Sequence, residues 1–250
     1  MKTCRCFLQG GLTLLELTVV LLVLTALAGL AIPYVGGVSR SAACQATDAT
    51  MHAVKEAIMG GPAGAGYYAD MLGFYPKATK STTTADYNLA FLFKAPTDSS
   101  WGSMVEFKVK TSVGWHGPYL QSGGTNLSAT AGLDASFGSS GVFHPTTNAT
   151  GKVHVVIDDT AGTQVMDGWH RPIVLQVPYF DDDGSGPHSA AYHPEYARLV
   201  SAGPGSGLEP NAAALDTKIS DRDATDRDDD RVLYLKYPDP KPGGNQPCQD

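Results

Sequence analysis

Glu16 stands near the start of residues 12–30, a run that is otherwise almost wholly apolar. Such a run is about the length, roughly 20 residues at 1.5 Å each, that spans a bilayer core as a helix. A carboxylate inside it costs several kcal/mol unless something pairs with it, so it reads as functional. Its position suggests the partner. A cut after Gly11 would leave an α-amino group on Leu12, four residues before Glu16. On a neighbouring copy of the chain that amine could neutralise the carboxylate. A second set of chemically capable residues lies late in the chain, where Asp221, Asp223, Asp226, Asp228, Asp229 and Asp230 are interleaved with Arg222, Arg227 and Arg231. The carboxylates supply hard oxygens suited to calcium. The arginines could instead pair with them and leave a solvated loop. A shorter run, Asp181-Asp182-Asp183-Gly184-Ser185, lacks the later bidentate Glu of a complete calcium loop and reads as a solvated acidic turn.

Nothing in the chain reads as catalytic machinery. His116, His144, His154, His170, His188 and His193 are scattered, and no His-Glu-x-x-His pair occurs. Gly203-Pro204-Gly205-Ser206-Gly207 lacks the strand-to-helix setting and spacing of a nucleophile elbow, and no Walker or dinucleotide loop is present. The expectation is a protein that is not an enzyme and has no redox or nucleotide cofactor. Of the 4 cysteines, Cys4 and Cys6 would leave with a leader, which keeps Cys44 and Cys248. These two close one large loop between helix and tail, remain as thiols, or include one that is lipidated or linked to a partner.

The elements that must position these groups follow from pattern. Val35, Val38, Ala42, Ala46, Ala49, Ala53 and Ala57 recur at helical spacing, widened by Val54 and Ile58, and predict a helix running to about Gly60 with a small-residue stripe toward the fold. Gly60-Gly61-Pro62 stops it, and Pro33 should bend or loosen it. Beyond, 28 Gly and 16 Pro in the whole chain favour short strands and turns. Residues 104–109, 153–157, 173–177 and 231–235 read as strands, and residues 88–93 as a short helix or strand. Residues 122–150 read as a loop, and residues 238–250 as irregular. The net charge is −7, and loss of Lys2 and Arg5 would take it to −9. That argues against nucleic acid as a partner and for an exported domain following the helix, with the basic leader left on the cytoplasmic side.

Gly11-Leu12-Thr13-Leu14-Leu15-Glu16-Leu17 resembles the class III signal of type IV pilin-like proteins, with Leu12 where that family usually has Phe. The resemblance implies that a prepilin peptidase cuts between Gly11 and Leu12 and methylates the new N-terminus. Pro33 also matches a proline common in those helices. Five later segments resemble, in order, the major pseudopilin of type II secretion. They are Gly73-Phe74-Tyr75-Pro76, Trp115-His116-Gly117-Pro118-Tyr119-Leu120, Asp167-Gly168-Trp169-His170-Arg171-Pro172, Ser201-Ala202-Gly203-Pro204 and Asp229-Asp230-Arg231-Val232. His170 stands where the family favours Gly, Gly205 and Ser206 where its late loop has Asp-Gly, and residues 121–166 and 178–194 are insertions.

The resemblance implies an α+β pilin-like lollipop. Residues 1–11 would be a cleaved leader, 12–33 a transmembrane and filament-core helix, 34–60 its continuation on the head, and 61–250 a periplasmic head built on a small antiparallel sheet with long loops. The chain would then sit in a bacterial inner membrane as a single-pass protein, in contact with lipid before assembly. It would later be extracted into a periplasmic filament that drives protein export. Its implied partners are copies of itself, other pseudopilins, the prepilin peptidase and N-methyltransferase, and an inner-membrane assembly platform. A structural calcium held by Asp226, Asp228 and Asp230 is implied too. The alternatives are a surface pilus or minor pilin subunit for adhesion, motility or DNA uptake, and a membrane-tethered metal-dependent enzyme.

Overall fold

The computed structural model describes residues 14–62, 64–80, 87–121, 124–126, 163–180, 191–204, 217, 222–223, 227 and 229–240. The chain divides into two compact units, Met1–Ser41 and Ala42–Asp250. One helix, α1 (Leu14–Met59), contributes to both.

In the first unit, every side chain described between residues 14 and 27 is exposed, including Leu14 at 83% and Leu22 at 70%. The hydroxyls in this stretch are satisfied locally. Thr18 donates to the Leu15 carbonyl and Thr25 to the Leu22 carbonyl, each at 2.9 Å, the back-bonding by which a helix accommodates Thr. Glu16 lies in the first turn, where a carboxylate suits the positive end of the helix dipole. The helix runs on through Pro33.

In the second unit, α1 buries Cys44, Thr47, Met51, Val54, Ala57 and Ile58. Ala42, Ala46, Ala49 and Ala53 of the expected stripe are exposed. Val54, Ala57 and Ile58 of the expected face are thus buried, while ahead of them Met51, which removes more apolar area from water than an alanine, turns inward in place of the exposed alanines. Helix α1 ends where Gly60 takes φ +90°, closing the C-terminus in the left-handed conformation that glycine tolerates. A four-residue helix α2 (Tyr67–Asp70) follows, then two 3₁₀ segments, Leu89–Leu92 and Ser99–Val105. Asn88 and Asp98 cap these through side-chain oxygens that accept from Ala90 N and Ser100 N, both at 2.8 Å. Residues 104–109, expected as a strand, instead end the second 3₁₀ segment and enter a tight turn. The segment kinks at Gly102, which takes φ +50°, a conformation glycine tolerates, and a second helical turn after it carries Met104 and Val105.

The strands form three antiparallel sheets. Strands β1 (Gly124–Asn126) and β2 (Thr163–Val165) make one pair, and β4 (Tyr179–Phe180) and β5 (Ala191–Tyr192) another. The central sheet has the order β3–β6–β7, with β3 (Val174–Gln176), β6 (Arg198–Ser201) and β7 (Arg231–Tyr234). Val174 pairs with Val200 and Val200 with Val232 across it. Strand β6 is buried along its whole length, as befits the middle strand. The expected strands at 173–177 and 231–235 are found here; the one at 153–157 lies outside the described residues.

The pilin-like lollipop is not the fold found. No helix of the described residues is long and apolar enough to cross a membrane. The expected membrane half of the helix is therefore corrected, and with it the expected single-pass inner-membrane location. Beside the 46-residue α1, the described residues carry three small sheets in place of one, and several short helical segments.

Candidate functional site

The most heavily tied part of the second unit is the base of the connection between β6 and β7. It is built from the turn at residues 167–172 upward. Asp167 is buried at 5% exposure, and its Oδ1 accepts from Trp169 N and Arg171 N, both at 2.8 Å. Its Oδ2 accepts from Ser201 Oγ at 2.7 Å. Burial raises the Asp167 carboxyl above its ordinary value, opposed by these hydrogen bonds and by the Arg171 guanidinium. The same turn reaches α1. Gly168 N donates to Thr47 Oγ1 at 2.9 Å, and a Cβ on Gly168 would stand 2.1 Å from the Ala43 carbonyl oxygen. Only glycine permits that approach.

Arg171 fixes the exit of β6. Its guanidinium donates to the carbonyls of Gly203 and Pro204, the latter at 3.2 Å. Gly203, at φ +60°, lies against the Asp229 carbonyl, where a Cβ would come within 2.0 Å. The loop between Pro204 and Asp229 is thus closed at its base, continuous with the Ser201–Arg231 pairing. Asp230 reaches inside, its Oδ2 accepting from Thr217 N at 2.6 Å, while Thr217 O accepts from Gln176 Nε2 at 3.0 Å. Gln176 Oε1 in turn accepts from the fully buried Arg198 Nε at 3.0 Å.

The arginines between the aspartates lead outward. Arg227 grips Asp239 through two hydrogen bonds of 2.9 and 2.6 Å, which raises its own pKa above the ordinary guanidinium value. Arg231 pairs with Asp48 of α1, with Nε at 2.9 Å from Oδ1. Arg222 lies over the Tyr196 ring at 4.7 Å and donates to its hydroxyl at 2.6 Å; its approach to Asp223 is 3.9 Å. The expected pairing within the run is present at Arg222–Asp223, and the arginines also reach beyond the run to Asp239, Asp48 and Tyr196.

Of the residues singled out from sequence, Asp230 belongs to this base, Glu16 and Pro33 lie in α1, and Cys44 is buried and disulfide-bonded. Gly11, Leu12, Asp226, Asp228 and Cys248 lie outside the described residues. The base offers carboxylate and carbonyl oxygens, the donor chemistry calcium takes. Among the described residues, no three His, Cys, Asp or Glu side chains group closely enough to hold a metal ion.

Sequence reasoning missed a second feature. A cavity of about 610 Å³ opens between the end of α1 and the cis Gly117–Pro118 turn, lined by Ala53, Glu56, Pro62, His116 and Tyr119 among others. Behind it, Tyr119 Oη donates to the buried Asp70 Oδ2 at 2.8 Å. Burial chiefly raises the Tyr119 hydroxyl, so it stays a neutral donor. The Trp115-to-Leu120 segment is pinned to the first 3₁₀ segment, with Trp115 Nε1 donating to Phe91 O at 3.0 Å and Tyr119 N to Leu92 O at 2.8 Å. Comparison with protein-family models, with curated proteins and with solved structures finds no match for this chain.

Proposed function

We propose that this chain is a structural filament subunit of the pseudopilus kind, assembling through residues 14–27 of α1 into a rod that serves protein export. The reading rests on one observation: a helical stretch whose large apolar side chains all stand exposed, with a carboxylate in its first turn. Apolar surface of this extent stays in water only at a cost of about 25 cal/mol per Å². Exposed patches of this kind mark association sites. Neighbouring copies of the same helix supply the cover, and the threonine hydroxyls, bonded back to their own helix, do not oppose it. In such a bundle Glu16 pairs with the α-amino group of a processed neighbour and sets axial register. Buried charge is better suited to register than to stability. The processing enzyme is then a prepilin peptidase that cuts after Gly11, and the further partners are other pseudopilins and their assembly platform.

The test is made on protein recovered from cells that carry such a peptidase. Its N-terminus should be Leu12, N-methylated, and electron microscopy should show filaments that Leu22→Asp abolishes. An uncut leader, or filaments of normal yield from Leu22→Asp, would refute the reading.

A further inference from the structure

The cavity at the end of α1 has a matching projection beside it. Residues 108–112 form a tight turn closed by hydrogen bonds from Lys108 N to Val113 O at 2.9 Å and from Ser112 N to Lys108 O at 2.8 Å. Ser112 holds φ +52° at its corner. Gly114 locks the base of the turn, because a Cβ there would meet the Glu106 carbonyl oxygen at 2.1 Å. The tip carries Val109, 83% exposed, between the exposed Lys108 and Lys110. This is a short, preformed knob with an apolar end and two positive charges.

The cavity is its complement. Its walls are small and apolar at Ala53, Ala57 and Pro62, and Glu56 is the carboxylate among its lining residues, which include neither lysine nor arginine. Knob and cavity are neighbours on the surface. His116, which lines the cavity, stacks on Phe107 at 4.2 Å, and Phe107 leads directly into Lys108. A patch that carries both a projection and its receptor side by side is self-complementary, the requirement for a two-fold contact between identical chains.

We propose that a second copy of this chain docks here reciprocally, each copy seating Val109 in the other's cavity, with Lys108 and Lys110 against Glu56. The knob needs little ordering to bind, since its turn is already hydrogen-bonded. The opposite charges bring the copies together in one register. The contact uses none of residues 14–27, so it does not rest on the filament reading, and either can fail without the other.

The test uses the full chain in two differently tagged forms. Val109→Cys in one form and Ala53→Cys in the other should yield a disulfide between the tags. The exposed Thr97→Cys serves in place of Val109→Cys as the control for collisions and for contacts made through α1. Glu56→Lys in both forms should lower the specific yield by up to roughly 25-fold, about fivefold for each of the two exposed ion pairs that the reciprocal contact loses. Lys108→Glu with Lys110→Glu in both forms should do the same. Mixing Glu56→Lys copies with the double glutamate variant should restore the yield, because a reciprocal pair then regains both of its charge contacts. Equal yields from Val109→Cys and Thr97→Cys would overturn the proposal. So would a mixed pair no better than Glu56→Lys alone.

Discussion

Two residues at the turn of 167–172 carry more of the second unit than their size suggests. Gly168 touches the α1 backbone at Ala43, where a methyl group would stand 2.1 Å from a carbonyl oxygen. Gly168→Ala therefore has to push the turn off the helix and weaken the bond to Thr47. It should lower unfolding free energy by about 1–3 kcal/mol, read from urea melts; an unchanged midpoint would mean the approach is not as close as described. Asp167 makes a different prediction. Its folded-state pKa is raised, chiefly by burial, so between the unfolded value and the raised one the native state binds the extra proton. Stability is then greatest below the unfolded carboxyl pKa and falls as pH rises toward the folded one. Asp167→Asn keeps an oxygen for Trp169 N and Arg171 N and removes the charge. Melts across that window should show the fall in the parent and a flatter profile in the variant. A parent profile that rises there would mean the three hydrogen bonds outweigh burial.

At the scale of elements, α1 holds the sequence's clearest signal and its clearest misreading. The stop at Gly60 was legible because a left-handed C-terminus demands a residue without Cβ. Strands β3 and β7 were legible as runs of Val and Leu. The inward face of α1 was legible only at its end. Val54, Ala57 and Ile58 of the expected face are buried, but Ala42, Ala46, Ala49 and Ala53 stand exposed, and Cys44, Thr47 and Met51, one step round the helix, turn inward in their place. The cavity and its knob were invisible for another reason. They join residues 53–65 to residues 107–121, and no local pattern links a helix end to a turn so far along the chain. The base of the β6–β7 loop was half legible: its aspartates stood out, but the distant partners of their arginines, Asp48 and Asp239, did not. On the filament reading, α1 also carries the prediction for Glu16. Glu16→Ala removes a charge that costs free energy to bury, so the helix itself should form as before by circular dichroism. Filament yield or register should still suffer, because the amine of the neighbouring copy loses its partner. Normal filaments from Glu16→Ala would remove the carboxylate from the assembly mechanism.

Across the whole molecule, long-range ties converge on the strand that leaves the acidic run. Arg231 reaches Asp48, Lys55 Nζ donates to the Tyr234 carbonyl at 2.7 Å, and Asp230 anchors Thr217. An ion bound in the β6–β7 loop would therefore stabilise the sheet and the helix it is tied to, and not the loop alone. We propose that Asp226, Asp228 and Asp230 hold calcium there. The full chain should then melt at a higher temperature in calcium than in chelator, with a gain in free energy that follows RT ln(1 + [L]/Kd), about 2.7 kcal/mol at a hundred times Kd. Magnesium should substitute poorly, since it demands tight octahedral geometry and gives up water reluctantly. Asp228→Asn should abolish the gain while leaving the melt in chelator unchanged. Asp230→Ala should lower the melt even in chelator, because it strips Thr217 N of its acceptor. Asp182→Ala, in the separate acidic turn, should leave the calcium gain intact. If the chain melts alike in chelator and in calcium, the aspartates serve only the hydrogen bonds and ion pairs that tie the loop down, and no ion belongs at its base.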